Sequence, residues 1–268
     1  MTIRLPVSFV STRNCLYTQR EVIELERRRT LSQATSAPLV TRETHPGYFL
    51  LRRLHSLTGI LFGGYICVHL LINATLIQGP GTTGQPGIFQ LQVDKIHSLP
   101  FLLAIELSFI FAPLLVHTIY GIYIMLNGKP NVGHYGYVKN WFYFLQRVSA
   151  VALVAFILFH VGGMFGWFGE NLKFVAHEKA FESTIRHVQI HWAVALIVYP
   201  LGVLAGTFHL ANGFWGAGVA WGLTVSQQAQ QRWGLICLGL FLFTTLCGFL
   251  AIIATFVYKN HALPLAGN

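Results

Sequence analysis

The sequence predicts an all-α membrane protein with five transmembrane helices, the first four forming an up-down bundle. Three observations predict it. Of the 268 residues, 54% are apolar and 10% charged, where a soluble domain carries about 25% charged residues. Five apolar segments, 54–77, 99–126, 142–168, 190–218 and 232–258, are each long enough to cross roughly 30 Å of hydrocarbon at about 1.5 Å per residue. The stretches between them are polar or rich in turn residues.

The elements follow in order. Residues 1–48 form a polar, basic tail with Arg27, Arg28 and Arg29 in succession. No apolar run follows these charges as in a secretory signal, and such a tail is expected to stay in the cytoplasm. The net charge of +9 therefore reads as membrane topology, with no nucleic-acid partner. The first span has Arg52, Arg53, His55 and Ser56 at its inner mouth, then His69 and, one turn on, Asn73. An outer connection from Gln78 to His97 is broken by Gly79, Pro80, Gly81, Gly84, Pro86 and Gly87. The second span carries Glu106 and His117, and Asn127-Gly128-Lys129-Pro130 turns the chain on the inner side. The third span carries Gln146, Arg147 and His160; the outer connection Glu170 to Gln189 is the most charged loop. The fourth span carries His209. The fifth, after a polar break from Ser226 to Gln231, has neither histidine nor internal charge and is expected to pack on the bundle and face lipid. Residues 49–260 thus make a membrane domain and 261–268 a C-terminal tail. The inside position of the N-terminus rests mainly on the tail, because Lys173, Lys179 and Arg186 fall in an outer loop.

Four histidines, His69, His117, His160 and His209, lie deep in four separate spans. An ionisable side chain at that depth is costly and marks function. Counted from the inner ends, His69 lies roughly 22 Å deep and His160 roughly 27 Å, whereas His117 and His209 lie about 14 Å deep. Spans one and three occupy opposite corners of an up-down bundle, as do two and four. His69 therefore pairs with His160 towards the outside, and His117 with His209 towards the inside, about 10 Å apart along the normal. Paired axial imidazoles are the ligand set of a b-type cytochrome, so the bundle is expected to enclose two stacked haems. Two separate pairs do not make one tetrahedral zinc cage. Cys15, Cys67, Cys237 and Cys247 form neither CxxC nor CxxCH, which excludes a c-type attachment motif. Gly121, Gly163, Gly202 and Gly213 share faces with these histidines and would let a flat ring, or simply another helix, come close.

Glu106 is the carboxylate well inside a span. Eleven residues before His117, it falls on the same face of an unbroken helix. It is expected near the outer haem, either carrying protons for a redox cofactor or buried as a hydrogen-bonded acid. The cations Arg52, Arg53 and Arg147, with His55 and Ser56, would meet inner-haem propionates, a quinone carbonyl or lipid headgroups; Asn73 would meet an outer propionate.

These strings carry a resemblance. Arg-Arg-Leu-His-Ser-Leu-Thr-Gly (52–59) followed by His69-Leu-Leu-Ile-Asn73 resembles the single-polypeptide, di-haem cytochrome b subunit of succinate dehydrogenase and fumarate reductase. So do His97-Ser-Leu-Pro-Phe with Glu106, Pro-Leu-Leu-Val-His117-Thr-Ile-Tyr-Gly, Asn140-Trp-Phe-Tyr-Phe-Leu-Gln-Arg147 leading to His160, and Phe-His209-Leu-Ala-Asn-Gly-Phe-Trp215. The resemblance implies a five-helix anchor in a bacterial cytoplasmic (inner) membrane. A flavoprotein subunit and an iron–sulfur subunit would sit on its cytoplasmic face. Electrons from succinate would pass to the inner haem (His117, His209), the outer haem (His69, His160) and then a quinone, menaquinone in this type, with Glu106 transferring protons at a quinone site. The chain would then be an electron-transfer and quinone-reactive subunit, not a complete enzyme, in keeping with its lack of a dinucleotide-binding glycine motif. The long N-terminal tail departs from the family pattern. Two other readings stand beside this one. One is a di-haem cytochrome b of another respiratory complex, such as a hydrogenase or formate dehydrogenase. The other is a haem-free transporter with a His/Glu proton relay, against which stands the absence of inverted-repeat or broken-helix signals.

Overall fold

The computed structural model describes residues 23–29, 46–128, 132–262 and 264. The chain divides into two units, Met1–Pro46 and Gly47–Asn268. In the first, residues 23–29 form a helix on which Glu24 pairs with Arg27 at 3.9 Å and Arg28 at 3.6 Å. These exposed pairs, one turn apart, add little stability. Of the rest of the expected basic tail, residues 46–48 begin the first long helix; the others, and most of the C-terminal tail, lie outside the described residues.

The second unit is all-α, with five helices long and apolar enough to cross a bilayer. Helix α1 (Pro46–Ala74) runs on through a 3-10 turn, Thr75–Gln78. A two-residue hairpin, β1 (Gly81–Thr82) with β2 (Gln85–Pro86), leads to helix α2 (Ile88–His97). The second span is α3 (Leu102–Asn127), followed by α4 (Val138–Met164), the short helix α5 (Ala180–Gln189), α6 (Val194–Ala220) and α7 (Gln227–Val257). Ser226 caps α7 by accepting the Ala229 N–H at 3.1 Å, the ordinary use of serine at a helix start.

Two spans are not α-helical throughout. Leu107–Phe111 in α3 and Val194–Val198 in α6 are π-helical. Each stretch ends two residues before a proline, Pro113 and Pro200. A proline lacks the N–H and its ring strikes the carbonyl four residues back, here Phe109 and Leu196. Both helices widen, so that the Ala112 N–H reaches Leu107 O and the Tyr199 N–H reaches Val194 O, five residues back. Each wide turn absorbs one extra residue.

Large apolar side chains along the spans face outward, such as Leu115, Ile119 and Leu235, as a hydrocarbon solvent permits. Helices α6 and α7 meet through small and polar residues. Gly248 lies against Val203, Thr207 bonds Thr245 at 2.9 Å, and Trp233 Nε1–H donates to Phe214 O at 3.0 Å. The fifth span thus packs chiefly on the fourth.

The outer connections differ from simple polar loops. Leu76, Phe89, Val93, Ala180, Phe181, Ile185 and Ala254 form a buried cluster that joins α2 and α5 to the outer ends of α1 and α7. Gln90 fastens it: its Nε2 donates to Asp94 and to Ala176 O, and its Oε1 accepts the Ala180 N–H, all at 2.8 Å. The charged stretch after Glu170 thus contains an amphipathic helix whose Phe181, Ile185 and Val188 stand at the i, i+4, i+7 spacing of a buried face.

Candidate functional site

The structure brings His69 to His160, with ring centres 5.9 Å apart, and His117 to His209, with ring centres 6.2 Å apart. The ring planes stand at 78° and 86° to each other. A metal held between two imidazoles by bonds of about 2 Å, with about 1 Å more from each nitrogen to its ring centre, separates the centres by about 6 Å. Near-perpendicular planes suit two rings turned about one shared axis. Among the described residues, no three His, Cys, Asp or Glu side chains converge as a metal cluster; the arrangement is by pairs.

Each of the four rings is held at Nδ1 by an oxygen. His117 Nδ1 bonds His55 O at 3.0 Å, His160 Nδ1 bonds Tyr199 Oη at 3.0 Å, His209 Nδ1 meets Ser149 Oγ at 3.3 Å, and His69 Nδ1 meets Tyr65 Oη at 3.4 Å. A carbonyl or hydroxyl that accepts Nδ1–H leaves the Nε2 lone pair free to ligate a metal. At His69 the Nε2 also has Asn73 Nδ2 at 3.4 Å, while Asn73 makes its firmer bond, 2.8 Å, to His69 O. The donor set therefore fits axial haem ligation at two levels.

The two levels stand further apart than the expected 10 Å or so. A Cβ on Gly59 of α1 would come within 2.6 Å of His117 Cε1, so Gly59 marks the inner level there; Ser149 marks it on α4 through His209. Gly59 lies ten residues before His69 and Ser149 eleven before His160, which is roughly 15 Å along the helices. The difference arises because α1 and α4 begin at 47 and 138, nearer the inner side than 54 and 142.

His55 does not point at solvent or headgroups. Its ring stacks on His117 with centres 4.1 Å apart and planes 11° apart, and its Nδ1 bonds His117 O at 3.1 Å while His117 bonds His55 O. The two histidines clasp α1 to α3 by exchanged ring-to-carbonyl bonds. Arg53 lies over Trp221 at 4.7 Å and Ser56 Oγ accepts Trp221 Nε1–H at 2.9 Å, tying the mouth of α1 to the end of α6. Arg52 stacks on Tyr48 and donates to its hydroxyl at 2.6 Å. Arg147 lies back along α4 on Tyr143, 3.5 Å from its ring centre. The structure therefore places Arg52, Arg53 and Arg147 against aromatic rings at the inner mouth, and Asn73 against its own helix. Gln146, beside Arg147, reaches the inner pair: its Nε2 donates to His209 O at 3.1 Å and its Oε1 accepts from Asn212 at 2.8 Å.

Glu106 is half-buried. The π turn between it and His117 offsets the outer part of α3 by about 100° from an unbroken helix, so the two do not share a face. Glu106 lies instead within electrostatic range of Tyr65, the residue that meets His69. Of the two uses expected of the glycines, close approach of a neighbouring element is the one seen. A Cβ at Gly121 would meet His55 at 3.1 Å, at Gly163 His187 at 2.6 Å, at Gly202 the Phe156 ring at 2.5 Å, and at Gly213 Gln146 at 3.6 Å. They admit side chains from neighbouring elements.

Sequence reasoning missed the Nδ1 partners Tyr65, Ser149 and Tyr199, and it missed His187. On α5, His187 is fully buried and its Nδ1–H donates to Leu172 O at 2.7 Å. Burial pushes its imidazole below the usual histidine range, and the neighbouring Arg186 acts in the same direction against the opposing pull of the Leu172 carbonyl. The ring is thus held neutral. No sequence signal pointed to it: His187 lies about 120° round α5 from the face of Phe181, Ile185 and Val188.

No protein-family model matches the chain. Among curated proteins, it is similar to the succinate dehydrogenase cytochrome b558 subunit of Bacillus subtilis (strain 168), with 33% identity over 208 residues, 77% of this chain and 96% of that protein.

Proposed function

The chain belongs to the succinate dehydrogenase cytochrome b family, and from that premise we propose that it anchors the complex in the bacterial cytoplasmic membrane and holds two haem b groups. One observation carries the proposal: four half-buried imidazoles, each with an oxygen at Nδ1, stand in two pairs at about the separation that axial ligation requires. When bound, the haems would supply one-electron carriers between an iron–sulfur subunit on the cytoplasmic side and menaquinone. The flavoprotein subunit that oxidises succinate would sit beyond the iron–sulfur subunit, on the same side.

The chain's own residues would do the rest. His117 and His209 hold the inner site, His69 and His160 the outer one. The clasp of His55 and His117 fixes the inner ligand against α1. Arg52, Arg53 and Arg147 supply positive charge at the inner mouth, next to the propionates or the partner subunit. Glu106, within electrostatic range of the Tyr65 that meets His69, would give the outer level a group that can exchange a proton with a quinone.

A pyridine haemochrome assay on the purified complex is expected to give two haems b per chain, together with a co-purifying flavin subunit. One haem or none would end this reading. His117→Ala should lose the inner haem and stop succinate from reducing the outer one.

A further inference from the structure

Three rings meet at the outer level besides His69. The centres of His160, Tyr199 and His187 lie 5.9 to 6.1 Å from one another, each pair near perpendicular. Tyr199 is 8% exposed and His187 is 0% exposed. Tyr199 Oη is 3.0 Å from His160 Nδ1. His187 has spent its Nδ1–H on Leu172 O, and its buried Nε2 has no hydrogen-bond partner.

A hydroxyl can both accept and donate one bond. If His160 binds iron through Nε2, its proton is confined to Nδ1, and Tyr199 must accept it. The tyrosine proton then needs an acceptor. The unpartnered lone pair within this ring cluster is His187 Nε2, and an unsatisfied buried acceptor costs about 1–3 kcal/mol.

We propose that Tyr199, whose hydroxyl meets His160 Nδ1 at 3.0 Å, is a positioning residue for the outer haem ligand, and that with haem bound its hydroxyl turns to His187 Nε2, which it does not bond in this structure, completing a hydrogen-bond chain from His160 to the Leu172 carbonyl. The chain rests on the reading that His160 ligates haem. It fixes the imidazole tautomer and raises its basicity, which favours the oxidised iron. It also joins the outer haem site to the α5 cap, since His187 lies on α5 and Leu172 in the loop before it. The fold protects the geometry: Gly163 leaves room for His187, and Phe156 stacks on His160, 5.6 Å away and 13° from parallel, and stands edge-on to Tyr199.

Tyr199→Phe removes one oxygen and keeps the ring. Optical redox titration of the purified holo-complex should show the outer haem more easily reduced, by roughly tenfold in its equilibrium constant, which is about 59 mV for a one-electron couple. The inner haem should not move. His187→Leu should shift the outer haem the same way by a smaller factor, and His187→Gln, which restores an acceptor, should return it towards the parent value. Equal outer-haem potentials in the parent and Tyr199→Phe would overturn the proposal. Should Tyr199→Phe fail to assemble, equal potentials in His187→Leu and His187→Gln would overturn it. A haem count on the parent separates the premise from the inference: no outer haem removes both, whereas two haems with unmoved potentials remove only the chain.

Discussion

A histidine in hydrocarbon has to satisfy two ring nitrogens, and here the four deep imidazoles share one solution. An oxygen lies at Nδ1, and the ring stands about 6 Å from a second histidine ring. The histidines were legible in the sequence because their depth is a count of residues along a helix. Their partners were not, because Ser149 and His209 lie 60 residues apart, His160 and Tyr199 39, and His55 and His117 62. Only Tyr65, four residues before His69, lies within reach of helix periodicity. At this scale Gly59 is the most sensitive position, since a methyl group there would strike the His117 ring at 2.6 Å. Gly59→Ala is expected to cost about 1–3 kcal/mol in overpacking and to displace the inner ligand. The variant should lose the inner-haem absorption while keeping the outer, and a spectrum with both bands at full strength would refute this.

At the scale of elements, two prolines set the geometry of the outer half of α3 and α6. Each forces a π turn, and each π turn rotates what lies outside it. Tyr199 itself closes the wide turn in α6, so the local backbone irregularity delivers the hydroxyl that reaches His160. In α3 the same device turns Glu106 off the His117 face. Periodicity arguments assume an unbroken helix, and the two prolines, plainly visible in the sequence, were the warning that the assumption fails. Pro113→Ala allows the ladder to close at i→i+4, which would turn Leu102–Glu106 by about 100° relative to His117. It is expected to slow menaquinone reduction about tenfold, as general acid–base groups of this kind typically contribute that much or more, and to match Glu106→Gln, with the inner-haem spectrum intact. Undiminished quinone turnover in both variants would remove Glu106 from the quinone site.

For the whole molecule, five apolar spans run between two ends, and the connections expected on the outside fold into a packed cap. Arg186 shows how the cap is tied: it donates to the carbonyls of Glu170, Lys173 and Pro264 at 3.2 to 3.3 Å. If this loop lies outside, that bonding accounts for one of its basic residues against the positive-inside rule. Arg186 is bound inside the cap and is not a free surface charge. With the N-terminus inside, an impermeant maleimide applied to intact cells should label Gly84→Cys in the exposed hairpin above the parent background and leave His134→Cys unlabelled. The reverse pattern would invert the topology and move the partner subunits to the other face.

The sequence by itself determined the fold class, the number of spans, the four histidines and their sorting into two levels, because each depends only on apolar length and on rise per residue. The tertiary structure decided what could not be counted along one helix. It placed His55 against His117, filled the space beside Gly121 and Gly163 with histidine rings, set the pairs roughly 15 Å apart along the helices, and brought α5 down so that His187 reaches the outer pair. These features depend on how separate helices approach one another, and that approach is fixed by contacts between residues far apart in the chain.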